Sequence, residues 1–216
     1  MSDLNPPTET PSSEPNGSAT PPPLSIWRDM WLKPRAVLRQ ELALPGHWQQ
    51  WAPAILAGIA AVLETFMLMT ATPVNTGNAQ AAAITAQSLL LTAMLLGPLF
   101  GMLHVGLMGF LLRHVGRLFG GQCQPDAMRR GISLALVPLA WSLSLVLFEL
   151  WWIEQHGKDA WVMISTGLRA LLNLWTLLLL AMSISEVQQL PLRRAAGTLA
   201  STILLLMLVL LLLQPR

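Results

Sequence analysis

The sequence predicts an all-α integral membrane protein of five transmembrane helices. Its amino terminus is expected on the cytoplasmic side and its carboxy terminus on the periplasmic or extracellular side. Three observations predict this. Of 216 residues, 53% are apolar and only 11% charged, whereas soluble domains carry about 25% charged residues. So few charges cannot cover the exterior of a water-soluble fold of this size. Five stretches are each long enough to cross a bilayer, which takes about 20 mainly apolar residues. Finally, Lys and Arg crowd alternate connections, and short basic connections stay cytoplasmic.

Residues 1–24 predict a disordered cytoplasmic tail. The first 23 hold seven prolines among Ser, Thr, Asn and Glu, with no Lys or Arg. That composition buries too little to offset its ordering entropy, and it lacks the basic start and apolar run of a signal peptide. Residues 25–51 predict an amphipathic segment. Ile26 and Met30, like Trp27 and Trp31, stand four apart on one helical face, while Arg28, Asp29 and Lys33 point elsewhere. Pro34 restarts the chain, and Arg35 and Arg39 are again one turn apart. Such a segment is expected to lie on the cytoplasmic membrane surface, its basic residues toward anionic lipid. The alternative is packing against the inner ends of the bundle.

The membrane domain is expected over 52–213, with spans near 52–69, 89–112, 131–152, 161–182 and 195–213. The second holds only Thr92 and His104 as polar side chains, and the fifth ends in ten consecutive apolar residues from Leu204. Pro98 and Pro138 are expected as tolerated kinks. The fourth is interrupted by Arg169; with that residue at the boundary it would instead run over 170–187. Orientation comes from the basic residues. Arg28, Lys33, Arg35 and Arg39 precede the first span, Arg113, Arg117, Arg129 and Arg130 link the second and third, and Arg193 and Arg194 precede the fifth. The other side receives only Lys158 and Arg216. Trp27, Trp31, Trp48, Trp51, Trp151, Trp152 and Trp161 are expected as interfacial anchors, since tryptophan gathers at both membrane surfaces.

Ionisable residues inside spans are costly and need a partner or a purpose. Glu64 and Arg169 both lie roughly 18–20 Å from the inner side at 1.5 Å per residue, and Glu149 about 27 Å. Glu64 and Arg169 are therefore expected to pair inside the bundle, with Glu149 as second choice, close enough to the outer surface to snorkel. Such a network either fixes how helices meet or marks a proton or ion path. Three pairs of small residues four apart, Ala54 with Gly58, Gly97 with Gly101, and Gly197 with Ser201, predict close helix contacts. His104 reads as a hydrogen-bonded packing residue.

No catalytic constellation, cofactor motif or metal site is legible. There is no His-Glu-x-x-His, and Gly131-Ile132-Ser133-Leu134 lacks the second glycine of a nucleophile elbow. The four histidines have no metal-ligand spacing, no Gly-rich phosphate loop exists, and Cys123 is the single cysteine. Nothing points to nucleic acid. The connection carrying Arg113, Arg117, Gly120, Gly121, Arg129 and Arg130 reads as a candidate cytoplasmic contact loop, or otherwise as a flexible basic turn.

Several pieces in order resemble the bacterial branch of the YIP (Ypt-interacting protein) domain family. Trp31-Leu32-Lys33-Pro34-Arg35 is similar to its lead-in to the first span. Gly120-Gly121, Met128-Arg129-Arg130 and Pro138 are similar to its loop and third span. Trp175, Ser185-Glu186-Val187-Gln188 and Arg193-Arg194-Ala195-Ala196 are similar to its closing segment. The resemblance implies a five-helix domain with a cytoplasmic amino terminus in the bacterial inner membrane. Eukaryotic members bind Rab-type GTPases and one another; bacteria lack that machinery, so no such partner is carried over. The expected function is a non-enzymatic scaffold or organiser of a membrane complex, with the bilayer and a membrane-protein partner or a second copy as partners. A small transporter or channel using Glu64, Arg169 and His104 is the main rival, and a lipid-acting membrane enzyme the third.

Overall fold

A computed structural model describes residues 24–46, 48–71, 86–156 and 159–214; the expected tail lies almost wholly outside them. The described residues form eight α-helices: α1 (Ile26–Leu32), α2 (Pro34–Ala43), α3 (Ala52–Ala71), α4 (Ala86–Leu118), α5 (Pro125–Ala135), α6 (Val137–His156), α7 (Asp159–Gln188) and α8 (Leu192–Leu213). A 3₁₀ turn, Trp48–Trp51, leads into α3. Five helical stretches are long and apolar enough to cross a membrane: Trp48–Met67, Ser88–Leu118, Pro125–Trp152, Ile164–Gln188 and Leu192–Leu213. Their outward faces are rows of exposed apolar side chains, as at Leu95, Leu99 and Leu103 of α4 and Met207 to Leu213 of α8. Hydrocarbon is the solvent that suits such faces.

Three elements depart from the sequence expectation. α4 has 33 residues, about 50 Å of helix against a hydrocarbon core of about 30 Å. It runs past residue 112, so Arg113 and Arg117 ride on helix rather than loop. The third span is two helices. The Leu136 N–H bonds back to the Ser133 carbonyl at 3.1 Å in a tightened turn, and α6 restarts at Val137. Pro138 thus falls in the first turn of a helix, where its missing N–H costs nothing; a break replaces the expected kink. α7 continues to Gln188 and ends at Gln189, whose φ of 54° is left-handed. The Leu190 N–H then bonds the Ser185 carbonyl at 3.1 Å, the closing bond of a Schellman cap.

The amphipathic segment also differs. Ser25, in extended backbone, stands at the N-cap position of α1 without a side-chain capping bond, and Pro34 opens α2 at a position where proline is preorganised. The apolar face of this pair is covered by protein. Met30, Val37 and Leu38 are fully buried with Leu134, Ala135, Val137 and Leu179, and the Trp31 ring stacks parallel to Trp175 at 6.4 Å. Leu32 and Trp48, each about three-quarters exposed, remain for the bilayer surface. Packing on the bundle's end competes with lying flat on lipid, and for most of this face it wins.

Helices α3 and α4 pack at backbone contact. A Cβ on Gly58 would strike the Gly97 carbonyl and the Gly101 backbone, and one on Gly101 the Ala54 carbonyl. Two of the small-residue pairs therefore meet each other. The third does not make such a contact: Gly197 faces the Phe119 ring at ordinary distance.

Candidate functional site

Two polar regions stand out, one in mid-span and one at the end of the bundle where α4 ends and α5 begins. In mid-span, α3 contributes Glu64, α6 contributes Glu149 and α7 contributes Arg169. The Arg169 guanidinium hydrogen-bonds through Nη2 to Glu149 Oε2, and its Nε lies 3.5 Å from Glu64 Oε1. That second contact is electrostatic only, because Nε makes no hydrogen bond. Ser165 Oγ donates to Glu149 Oε1 at 3.4 Å. The order of partners is thus the reverse of the sequence expectation, and Glu149 turns inward, 5% exposed, instead of snorkelling. The cause is α6 packing directly beside α7, which a depth count cannot see. His104 lines a separate cavity of about 70 Å³ with Ala54, Gly58 and Gly101. No group of three His, Cys, Asp or Glu is placed to hold a metal among the described residues.

The second region is built from the last turns of α4, the connection 119–124, the start of α5 and the end of α7. Gly120 takes a φ of 85°, and the Gly121 N–H bonds the Gly116 carbonyl at 2.9 Å, so the connection leaves α4 through a second Schellman cap. Gly116 and Gly121 are bare for a reason: Gln188 fills the space a Cβ would need at either. Its Nε2 donates to the Leu112 carbonyl at 3.0 Å, tying the end of α7 to the end of α4. Gln188 was missed as a site residue. Its only sequence signal is the Ser185 to Gln188 segment of the family resemblance.

An open notch of about 810 Å³ lies over this connection, lined by Arg117, Gly121, Cys123, Gln124 and Val187 among others. Burial pushes the Cys123 thiol above its ordinary pKa, against the pull of Gln188, Arg113 and Arg117. It is therefore a neutral thiol at pH 7. Arg129 sits 3.7 Å from Asp126 on its own helix. Arg130 donates to the Leu44 carbonyl at 2.8 Å, which fastens the amphipathic segment to α5.

Around the notch the same end is held by ion pairs. Arg39 donates both Nε and Nη2 to Glu186, at 2.8 and 3.1 Å, and Arg35 lies 3.8 Å from the same carboxylate. That bond raises the Arg39 pKa. The Ser25 N–H donates to Asp29 Oδ2 at 2.7 Å, and this bond holds the Asp29 carboxyl below its ordinary range against some burial. In the neighbouring core, Gln50 Nε2 donates to the Glu41 carbonyl and carboxylate, and Ser133 Oγ donates to the Gln50 carbonyl at 2.6 Å.

The tryptophans divide by environment. Trp48 and Trp151 are exposed, and Trp151 and Trp152 both pack on Phe148, with ring centres 5.6 and 5.8 Å away. Trp51 and Trp27 pack partly against core clusters. The side chain of Trp161 lies outside the described residues.

A family model described as Yip1 domain matches residues 28–213. No curated protein and no solved structure matches this chain.

Proposed function

This chain belongs to the Yip1 domain family, and from that premise we propose that it is a non-enzymatic organiser of a membrane assembly. It acts through the basic end of its helix bundle and through helix–helix contact. The observation that carries this reading is the construction of that end. Arg117 lines an open notch, Arg113 stands one turn before it on α4, Arg129 and Arg130 stand on α5, and the frame of this end is locked by Gln188, Glu186 and Leu44. A rigid frame under an exposed basic surface suits docking, because little ordering is left to do when a partner arrives.

The same reading puts the chain in a bacterial inner membrane with its amino terminus in the cytoplasm. Ten of the 13 Lys and Arg residues belong to this end, and basic connections are retained on the cytoplasmic side. Co-purification of the tagged chain from its own membranes, combined with cross-linking from Cys123, tests the reading. A specific protein is expected at the notch, captured by wild type and lost when Arg113, Arg117, Arg129 and Arg130 are replaced. Recovery of lipid alone would refute it.

A small transporter or channel is the second reading. It is favoured by two carboxylates facing one guanidinium in mid-span, with Glu64 and Arg169 side chains still 29% and 22% exposed. Solute or ion flux in liposomes that disappears in Glu64→Gln would establish it over the first.

A further inference from the structure

Asn173 stands at the midpoint of α7, about 22 Å from either end at 1.5 Å per residue. It is exposed, and among the described residues it has no hydrogen-bond partner. A carboxamide that deep on the outside of a spanning helix meets hydrocarbon, where its donors and acceptor go unmet. It also belongs to a seam. Thr166, Ala170, Asn173 and Leu177 are all exposed and follow one another at spacings of four, three and four, the repeat by which one helix packs along another. Thr166 and Ala170 are small enough to let backbones approach.

We propose that this seam is a two-fold interface with a second copy of the chain, closed by reciprocal hydrogen bonds between the two Asn173 carboxamides. Two features favour a second copy over another partner. Copies inserted with the same orientation hold Asn173 at the same depth, and a two-fold axis along the seam sets each residue near its own image. A carboxamide is both donor and acceptor, so it satisfies its own copy without needing a complementary group elsewhere. A single buried Asn in such a seam also fixes register. The proposal rests on the reading that the chain works by helix–helix association, and it names one of the surfaces.

Self-association of the full chain in lipid vesicles, followed by energy transfer between labelled copies at increasing lipid dilution, tests it. Wild type is expected to dimerise. Asn173→Leu should weaken the dimer about fivefold or more, and Asn173→Gln should restore most of it, which a purely apolar contact would not do. In a Cys123→Ser background, Ala170→Cys and Leu177→Cys should cross-link between copies, while Leu171→Cys on the opposite flank should not. A chain that is monomeric at every lipid ratio would overturn the interface, as would an Asn173→Leu variant that dimerises like wild type. Ready modification of Ala170→Cys by a charged thiol reagent would also overturn it, by revealing a water-filled cleft. None of these outcomes depends on what Cys123 captures in native membranes, so failure here and failure of the docking surface remain separable.

Discussion

Arg169 is the residue on which the mid-span network turns. Removing it leaves two carboxylates facing each other without a cation, whereas removing either carboxylate leaves the other to pair with it. Breaking a buried pair by deleting one partner costs about 3–5 kcal/mol, and partial exposure of Arg169 places its loss at or below the lower figure. Arg169→Gln is therefore expected to destabilise by about 2–3 kcal/mol. Glu149→Gln should follow, and Glu64→Gln should cost least, because Glu64 makes no hydrogen bond to the guanidinium. Unfolding of the three variants in mixed detergent micelles would measure the order; Glu64→Gln as the worst of the three would contradict the geometry. The sequence carried the heights of Glu64 and Arg169, since height follows from counting residues along a helix. It did not carry which helix stands beside α7, and for that reason Glu149 took second place there and first place in the structure.

At the scale of elements, the contact between α3 and α4 makes the sharpest prediction. Gly58 and Gly101 have backbone, not flexible side chain, where a Cβ would go, so relief requires the two helices to part. Gly101→Ala is expected to cost about 2–3 kcal/mol, the upper part of the range for an overpacked core. Gly106→Ala, on the same helix with nothing near its Cβ position, is expected to be neutral or to stabilise by up to about 1 kcal/mol through helix propensity. Thermal unfolding of the two variants would separate them; equal effects would mean that the helices do not touch at Gly101. The spacing of four in both small-residue pairs was legible, but the same spacing in Gly197 and Ser201 produced no close contact. Spacing fixes only a face, and partner choice depends on the rest of the packing. The break at Leu136 was likewise hidden. A proline two residues into a helix, as Pro138 is in α6, and one in mid-helix, as Pro98 is in α4, look alike in an apolar run.

For the whole molecule, length and apolarity were enough to find five helices able to span a membrane, because a bilayer sets a minimum length for every crossing. The docked amphipathic segment was less legible, since an apolar helical face suits protein and lipid equally until the competing surface is known. The basic residues at the end near α5 have two proposed roles that can be taken apart: retaining this end in the cytoplasm, and forming the contact surface. Orientation is set by the summed excess of Lys and Arg near span ends, whereas the proposed docking depends on the particular arginines of α4 and α5. Replacing Arg113, Arg117, Arg129 and Arg130 by Gln leaves Arg28, Lys33, Arg35, Arg39, Arg193 and Arg194 on the proposed inner side, against Lys158 and Arg216 on the proposed outer side. Reporter fusions after residues 80 and 124 should therefore still land in opposite compartments, as in wild type, while the co-purifying partner is lost. If the reporters change places, the four arginines are topological determinants, and loss of the partner would then reflect misinsertion rather than a missing surface.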